Sequence, residues 1–330
     1  MRPAAFVVFV LLELTRAHVS AQNLQLVPST HTDRAPQTFL DACMNVDKWP
    51  TLYGRATYLG AVSWQLRPDR ASDATLMRCF ARMRAVDLQL SLEVGITSIV
   101  ATGREAYELG WPEWKRYQDL GAPLTAFFID EPLTNGMRDL GLSYANVVSE
   151  TASFIVLVRQ NPRLRSIRLV LIEAYPHLDA STIIDFINDV NNTAASRGAA
   201  GLDGLQIDHA WDGIRPWSGS DLGSMSAAAH RRRMEFSIIF YAAMPFANPT
   251  NDCDFRARLY QQWNAYRTNR IDYYGFYPDL YTIQSWDQLP SGTTPESTVA
   301  CTFMEGAKEW LDAIDPQKSI WSPRRRLLVP

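Results

Sequence analysis

Acids that close apolar, strand-like runs are the residues of this chain best suited to chemistry. The sharpest case is Phe127-Phe128-Ile129-Asp130-Glu131-Pro132, where a hydrophobic run passes straight into two carboxylates. The proline then denies the ladder its next backbone donor. Leu171-Ile172-Glu173-Ala174-Tyr175-Pro176 sets one acid in an apolar strand, Gly204–His209 carries Asp208, and Leu88–Val94 carries Glu93 just before Gly95. Carboxylates gathered with no lysine nearby raise one another's pKa values, so some hold protons near neutral pH. One carboxyl can then donate a proton while another stays ionised as base or nucleophile. Trp64, Trp211 and Trp286 stand at or beyond strand ends, and Tyr241 and Gln284 occupy strand positions of the same kind. Flat aromatic faces there suit stacking on the C–H faces of sugar rings.

The elements that must position these groups follow from hydrophobic patterning. Seven runs read as strands: Ala56–Trp64, Leu88–Val94, Leu124–Glu131, Arg168–Ala174, Gly204–His209, Glu235–Ala242 and Tyr281–Trp286. Helical runs alternate with them. Tyr144, Val147, Val148, Thr151, Phe154, Ile155 and Val158 fall at helical spacing, and Asn161-Pro162 stops that helix. Ser181 is a candidate cap for a helix bearing Ile183, Ile184, Ile187 and Val190, with Gly198 at its exit. Asp73–Val86, Arg104–Leu120, Cys253–Thr268 and Glu296–Ile314 read as further helices. Repeated strand–helix units of this total length predict a parallel α/β fold, a (β/α)8 TIM-type barrel with room for irregularity. No glycine-rich phosphate loop follows the first strand, which argues against an open nucleotide-binding sheet. The eighth strand is sought in Ile271–Tyr277.

Alternation shows which residues face the barrel interior. Leu88, Leu90 and Leu92 share the helix-facing side, which leaves Gln89, Ser91 and Glu93 inward. The same reasoning turns Gln206, Asp208, Ser237, Tyr241, Thr282, Gln284 and Trp286 inward. Adjacent residues point opposite ways, so only one of Asp130 and Glu131 is expected in the site: Glu131 by parity with Thr125, with Asp130 supporting. The structural alternatives are a turn cap for Asp130 and a buried ion pair of Glu173 with Arg168 or Arg104.

The chain has 32 basic and 35 acidic residues and a net charge of −3, which gives no reason to expect nucleic acid as a partner. Arg2, the apolar run Ala4–Leu12 and Val19-Ser20-Ala21 read as a signal peptide over residues 1–21, leaving 22–330 as one catalytic domain. No run approaches the roughly 18 apolar residues of a membrane span. Export makes two disulfides among Cys43, Cys79, Cys253 and Cys301 an expectation, with three connectivities open. Their spacing matches no zinc motif. Asn191-Asn192-Thr193 is a glycosylation sequon.

The strand ending Phe128-Ile129-Asp130-Glu131-Pro132, the acids Glu173 and Asp208, and the closing Tyr281-Thr282-Ile283-Gln284-Ser285-Trp286 with Leu289-Pro290 resemble secreted TIM-barrel glycoside hydrolases. The resemblance implies that one carboxylic acid protonates the glycosidic oxygen while a second is nucleophile or base. Glu131 is the candidate acid/base, with Glu173 or Asp208 as its partner. In the best-known clan the catalytic glutamates lie on the fourth and seventh strands, and no glutamate lies near Tyr281–Trp286. The expected partner is a carbohydrate, with no cofactor, nucleic acid or membrane. Two other classes compete. Glu131, Glu173, Asp208 and His209 could ligate a divalent metal, as in barrel sugar isomerases or epimerases, with His177 on a nearby loop. A non-catalytic barrel could bind carbohydrate through its tryptophans. A Ser-His-Asp hydrolase is disfavoured, because no G-x-S-x-G elbow is present.

Overall fold

Runs of leucine, β-branched and aromatic residues form eight strands in the computed structural model. It describes residues 23–28, 35–97, 100–209, 219–241, 250–266, 278–285, 289–296 and 301–314. The strands are β1 (Asn23–Val27), β2 (Ala56–Val62), β3 (Gln89–Gly95), β4 (Leu124–Asp130), β5 (Arg168–Tyr175), β6 (Gly204–His209), β7 (Glu235–Tyr241) and β8 (Leu280–Gln284). Each pairs in parallel with its neighbours in sequence, and β8 pairs back onto β1, so the sheet is a closed barrel. Around it lie α1 (Ala35–Met44), α2 (Pro50–Tyr53), α3 (Asp73–Ala85), α4 (Gly103–Asp119), α5 (Pro132–Arg138), α6 (Tyr144–Gln160), α7 (Ala180–Ser196), α8 (Gly219–Arg231), α9 (Asp252–Tyr266) and α10 (Phe303–Ile314).

The expected barrel is present, with three corrections. The eighth strand is Asn23–Val27, while Ile271–Tyr277 lies outside the described residues. Counting it makes Leu124–Asp130 the fourth strand and Glu235–Tyr241 the seventh. The α7 cap position is Asp179 rather than Ser181. Glu296 does not begin the last helix: its carboxylate accepts the Thr51 and Leu52 amides at the start of α2, both at 2.9 Å.

Outward strand residues pack on the helices. The Trp114 ring of α4 lies 4.6 Å from Phe127 of β4 and 6.0 Å from Phe154 of α6, and Trp310 of α10 lies 4.9 Å from Phe240. The inward face carries a polar layer instead of the usual branched aliphatics. Gln25 Nε2 donates to Ser91 Oγ at 3.0 Å, Gln206 Nε2 to Thr282 Oγ1 at 2.6 Å, and Thr282 Oγ1 to Gln25 Oε1 at 2.7 Å. All four are buried, and their mutual bonds offset the loss of water. Gly60 makes room for them, because a Cβ there would sit 3.1 Å from Ser91 Oγ and 2.8 Å from Val27 Cγ2. At the N-terminal end of the barrel Arg168 bonds the Tyr58 hydroxyl and the Glu235 carboxylate, both at 3.0 Å. The barrel therefore has a tied lower end and a hydrogen-bonded floor, above which the C-terminal strand ends form the mouth.

Cys43–Cys79 ties α1 to α3, and Cys253–Cys301 ties α9 to the residues just before α10. These bonds close separations of 36 and 48 residues, long enough to restrict the unfolded chain substantially. Replacing Cys43 and Cys79 together by alanine is expected to lower unfolding stability by about 2–5 kcal/mol in a denaturant titration.

Candidate active site

Four carboxylates meet at the C-terminal mouth. A cavity of about 340 Å³ is lined by Glu93, Asp130, Glu131, Asn135, Ile172, Asp208, Ile239 and Gln284. Glu93 comes from β3, Asp130 from the last position of β4, Asp208 from β6 and Gln284 from the end of β8. Ile172 and Ile239 supply an apolar wall from β5 and β7. Alternation correctly turns Glu93, Asp208 and Gln284 inward.

Asp130 and Glu131 both line the cavity, contrary to the expectation that one of them must turn away. Asp130 is inward by the pleat. Glu131 escapes the pleat because its backbone is left-handed, at φ 39 and ψ 50, a region costly for a residue with a side chain. Its amide still donates to the Ile172 carbonyl at 3.1 Å, so the ladder holds while the side chain swings inward. Pro132 then starts α5, whose Asn135 faces the cavity. Asn135 Oδ1 accepts from Arg138 Nη2 at 2.7 Å, which fixes the amide so that its NH2 group is the part left for a ligand. Sequence patterning gave no signal for Asn135, because a seven-residue helix is too short to show which face is buried.

Glu173 is not brought into the cavity. It lies on the opposite face of β5 from Ile172 and is fully buried beneath α5. Its carboxyl accepts the Leu133 amide at 2.8 Å, the Thr134 amide at 3.3 Å and the Thr134 hydroxyl at 2.9 Å. Neither expected ion pair forms, since Arg168 pairs with Glu235 and Arg104 with Glu108. Glu173 therefore acts on the site indirectly, by holding the helix that follows Glu131. His209, adjacent to Asp208, turns outward, with its ring 5.6 Å from Tyr175. The set Glu131, Glu173, Asp208 and His209 is accordingly split between the two faces of the barrel wall. Among the described residues no three His, Cys, Asp or Glu side chains stand close enough to hold a metal ion.

The aromatics contribute less than their strand-end positions promise. Trp64 is half-buried in a short 3-10 turn after β2, with the Arg70 guanidinium 5.7 Å from its ring centre, and does not line the cavity. Tyr241 is buried on β7 opposite Gln284 in the β7–β8 register, and it too is absent from the cavity wall. Trp211 and Trp286 lie outside the described residues.

Burial and mutual repulsion set the protonation of the acids. Burial raises Glu93 well above the usual carboxylate range, and the charges of Asp130 and Glu131 push it further, while Gln284 donates a hydrogen bond that opposes them. Asp130 is pushed up to about 7, by burial first and Glu131 second. Burial raises Asp208 well above its usual range, with the nearby Glu131 charge reinforcing it. Glu131 is raised by burial too, but a hydrogen bond from Asp208 favours its ionised form. Asp208 and Glu131 thus act as one titrating pair that keeps a proton between them. Burial pushes Glu173 up to about 8 despite its three donors.

No known family's sequence model matches the chain, and no curated protein matches it in sequence. Solved structures match it in fold. A D-psicose 3-epimerase in the presence of D-fructose aligns with a TM-score of 0.51 at 11% identity, over 88% of this chain and 97% of that one. A glucosidase from Croceicoccus marinus aligns with a TM-score of 0.48 at 11% identity, over 74% of this chain. The alignment spans 55% of that glucosidase, about half its length. At such identity the likeness to the epimerase supports the TIM-type barrel and nothing finer.

Proposed function

We propose that this chain is a glycoside hydrolase that cleaves an oligo- or polysaccharide with paired carboxylates. The observation that carries the proposal is that Asp208 and Glu131 line one cavity at the mouth of a closed barrel, where a hydrogen bond from Asp208 favours the ionised form of Glu131. They lie where barrel enzymes place their chemistry. Glu131 also follows the fourth strand, one of the two strands on which the resembling hydrolases carry catalytic glutamates.

Roles follow from position. Glu131 sits at the rim, half-buried, where it can exchange protons with water. Asp208 lies deeper, 7% exposed, where a sugar carbon can be approached without competing solvent. Glu131, carrying the shared proton, protonates the glycosidic oxygen as its bond to the anomeric carbon breaks. The ionised Asp208 oxygen bonds to that carbon. Water, deprotonated by Glu131, then displaces Asp208 and returns the proton to the pair. Burial favours the proton on Asp208, so substrate binding must shift it to Glu131 before the glycosidic bond breaks. The two disulfides fit export, and residues 1–21 would be its signal.

Hydrogen-bonded carboxyls lie well short of the roughly 6.5–9.5 Å that inversion needs for a water between them, and a sugar that parts them to roughly 5–5.5 Å gives retention as the expected stereochemical outcome. Proton NMR of the first-formed product checks this: the original anomer should appear first and mutarotate later. Initial appearance of the opposite anomer would remove Asp208 as nucleophile.

A further inference from the structure

The cavity holds more acid than a glycosidase needs. Asp208 and Glu131 complete the acid/nucleophile pair, and Glu93 and Asp130 remain as two further carboxyls on the same wall. No lysine or arginine lines the cavity among the described residues. Arg138, whose charge acts on Asp130 and Glu131, is itself exposed and engaged with Asp139 and Asn135. His177 acts on Glu131 from outside the cavity wall. A second observation points to a ligand group rather than to surface acidity. Asp208 is 7% exposed, lines the cavity, and has an Oδ1 atom with no hydrogen-bond partner. A buried acceptor without a donor is unfavourable until a ligand supplies one.

A neutral sugar would offer hydroxyl donors but leave these crowded acids protonated, with their mutual repulsion unrelieved. An ammonium group supplies three donors and a positive charge, and it is the complement such a wall lacks. We propose that the substrate is an amine-bearing sugar, such as an unacetylated glucosamine unit, whose ammonium binds among Glu93, Asp130 and the free oxygen of Asp208. The proposal rests on the glycosidase reading for the sugar and adds the charged substituent. On binding, the ammonium displaces protons from these acids, because a nearby cation favours their ionised forms. The neighbours that face them from β8, β5 and β7 are Gln284, Ile172 and Ile239, none of which titrates, so the released protons come from the acids themselves.

Titration calorimetry on the full chain carrying Glu131→Gln, which cannot turn over, tests this with three probes: a short glucosamine oligomer, its fully N-acetylated counterpart and a glucose oligomer. At about pH 6 the amine-bearing oligomer is expected to bind about tenfold or more tightly than either neutral one, with protons released into the buffer. Adding Glu93→Gln should reduce that preference several-fold without unfolding the chain. Equal binding of all three, preference for the acetylated oligomer, or tight Mn²⁺ binding at these acids without amine preference would overturn the proposal. Amine-selective binding by a chain whose unsubstituted form cleaves nothing would leave it standing while removing hydrolysis. Cleavage of neutral oligomers with no amine preference would do the reverse.

Discussion

Asp208→Asn is expected to lower turnover by roughly 10³-fold or more while raising the thermal midpoint measured above neutral pH. The loss follows because an amide can neither attack the anomeric carbon nor share a proton with Glu131. The gain follows from the repulsion the substitution removes. Burial, followed by the charges of Glu131, Asp130 and Glu93, raises Asp208, so its ionised form is the unfavourable one. Asparagine keeps a donor toward Glu131 and never ionises. In the unsubstituted chain the folded state holds protons on Glu93, Asp130 and Asp208 that the unfolded state releases above about pH 4. Stability therefore falls as pH rises, through about 7 for Asp130, by at most about 1.4 kcal/mol per unit for each group. The substituted chain should show a shallower fall, measured as thermal midpoints from about pH 5 to 9. A midpoint that drops at every pH would mean that Asp208 is a structural acid.

Glu173 should behave in the opposite way. Glu173→Ala leaves the Leu133 and Thr134 amides and the Thr134 hydroxyl without their acceptor in a fully buried place. Each of the three stranded donors costs about 1–3 kcal/mol, so a total loss of at least about 3 kcal/mol is expected. Such a loss would leave little of a typical domain's stability. Glu173→Gln keeps one oxygen as acceptor but sets its NH2 group against a donor, so a smaller loss is expected. Since Glu173 does not line the cavity, this variant should retain turnover within about tenfold once folded, whereas a cavity acid would lose far more. Denaturant titration and turnover on the same sample separate the two effects. A folded Glu173→Gln chain with activity lost as completely as in Asp208→Asn would place Glu173 in the chemistry and contradict its role as an anchor for α5.

These opposite expectations mark where the sequence could be read and where it could not. Alternation works when one face of a strand is plainly apolar: it turned Ser91, Gln206 and Thr282 inward, and they form the hydrogen-bonded floor. It also placed Glu93, Asp208 and Gln284 on the cavity wall. In β5 both faces are apolar, so a strand-end acid looked the same whether it faced the cavity or the helix layer, and Glu173 proved to face the helices. Parity with Thr125 chose Glu131 over Asp130 on the wrong face, because Phe127 of that face packs on α4 and the pleat turns Asp130 inward. Glu131 joins it only because its left-handed backbone resets the direction of the side chain. Strand β1 is five residues long and follows directly on the expected leader over residues 1–21, so its period was too short to stand out. Asn135 depends on the close packing of α5, which a local pattern does not encode: a Cβ on the adjacent Gly136 would sit 2.9 Å from Val147 Cγ2.

The most direct test of the central claim is release of new reducing ends from a panel of neutral and amine-bearing oligo- and polysaccharides, with and without EDTA. The unsubstituted chain, with its disulfides formed, should release reducing ends at equal rates in both conditions. Asp208→Asn and Glu131→Gln, each shown to be folded, should release none. Activity abolished by EDTA, or undiminished in both variants, would contradict cleavage by this carboxylate pair.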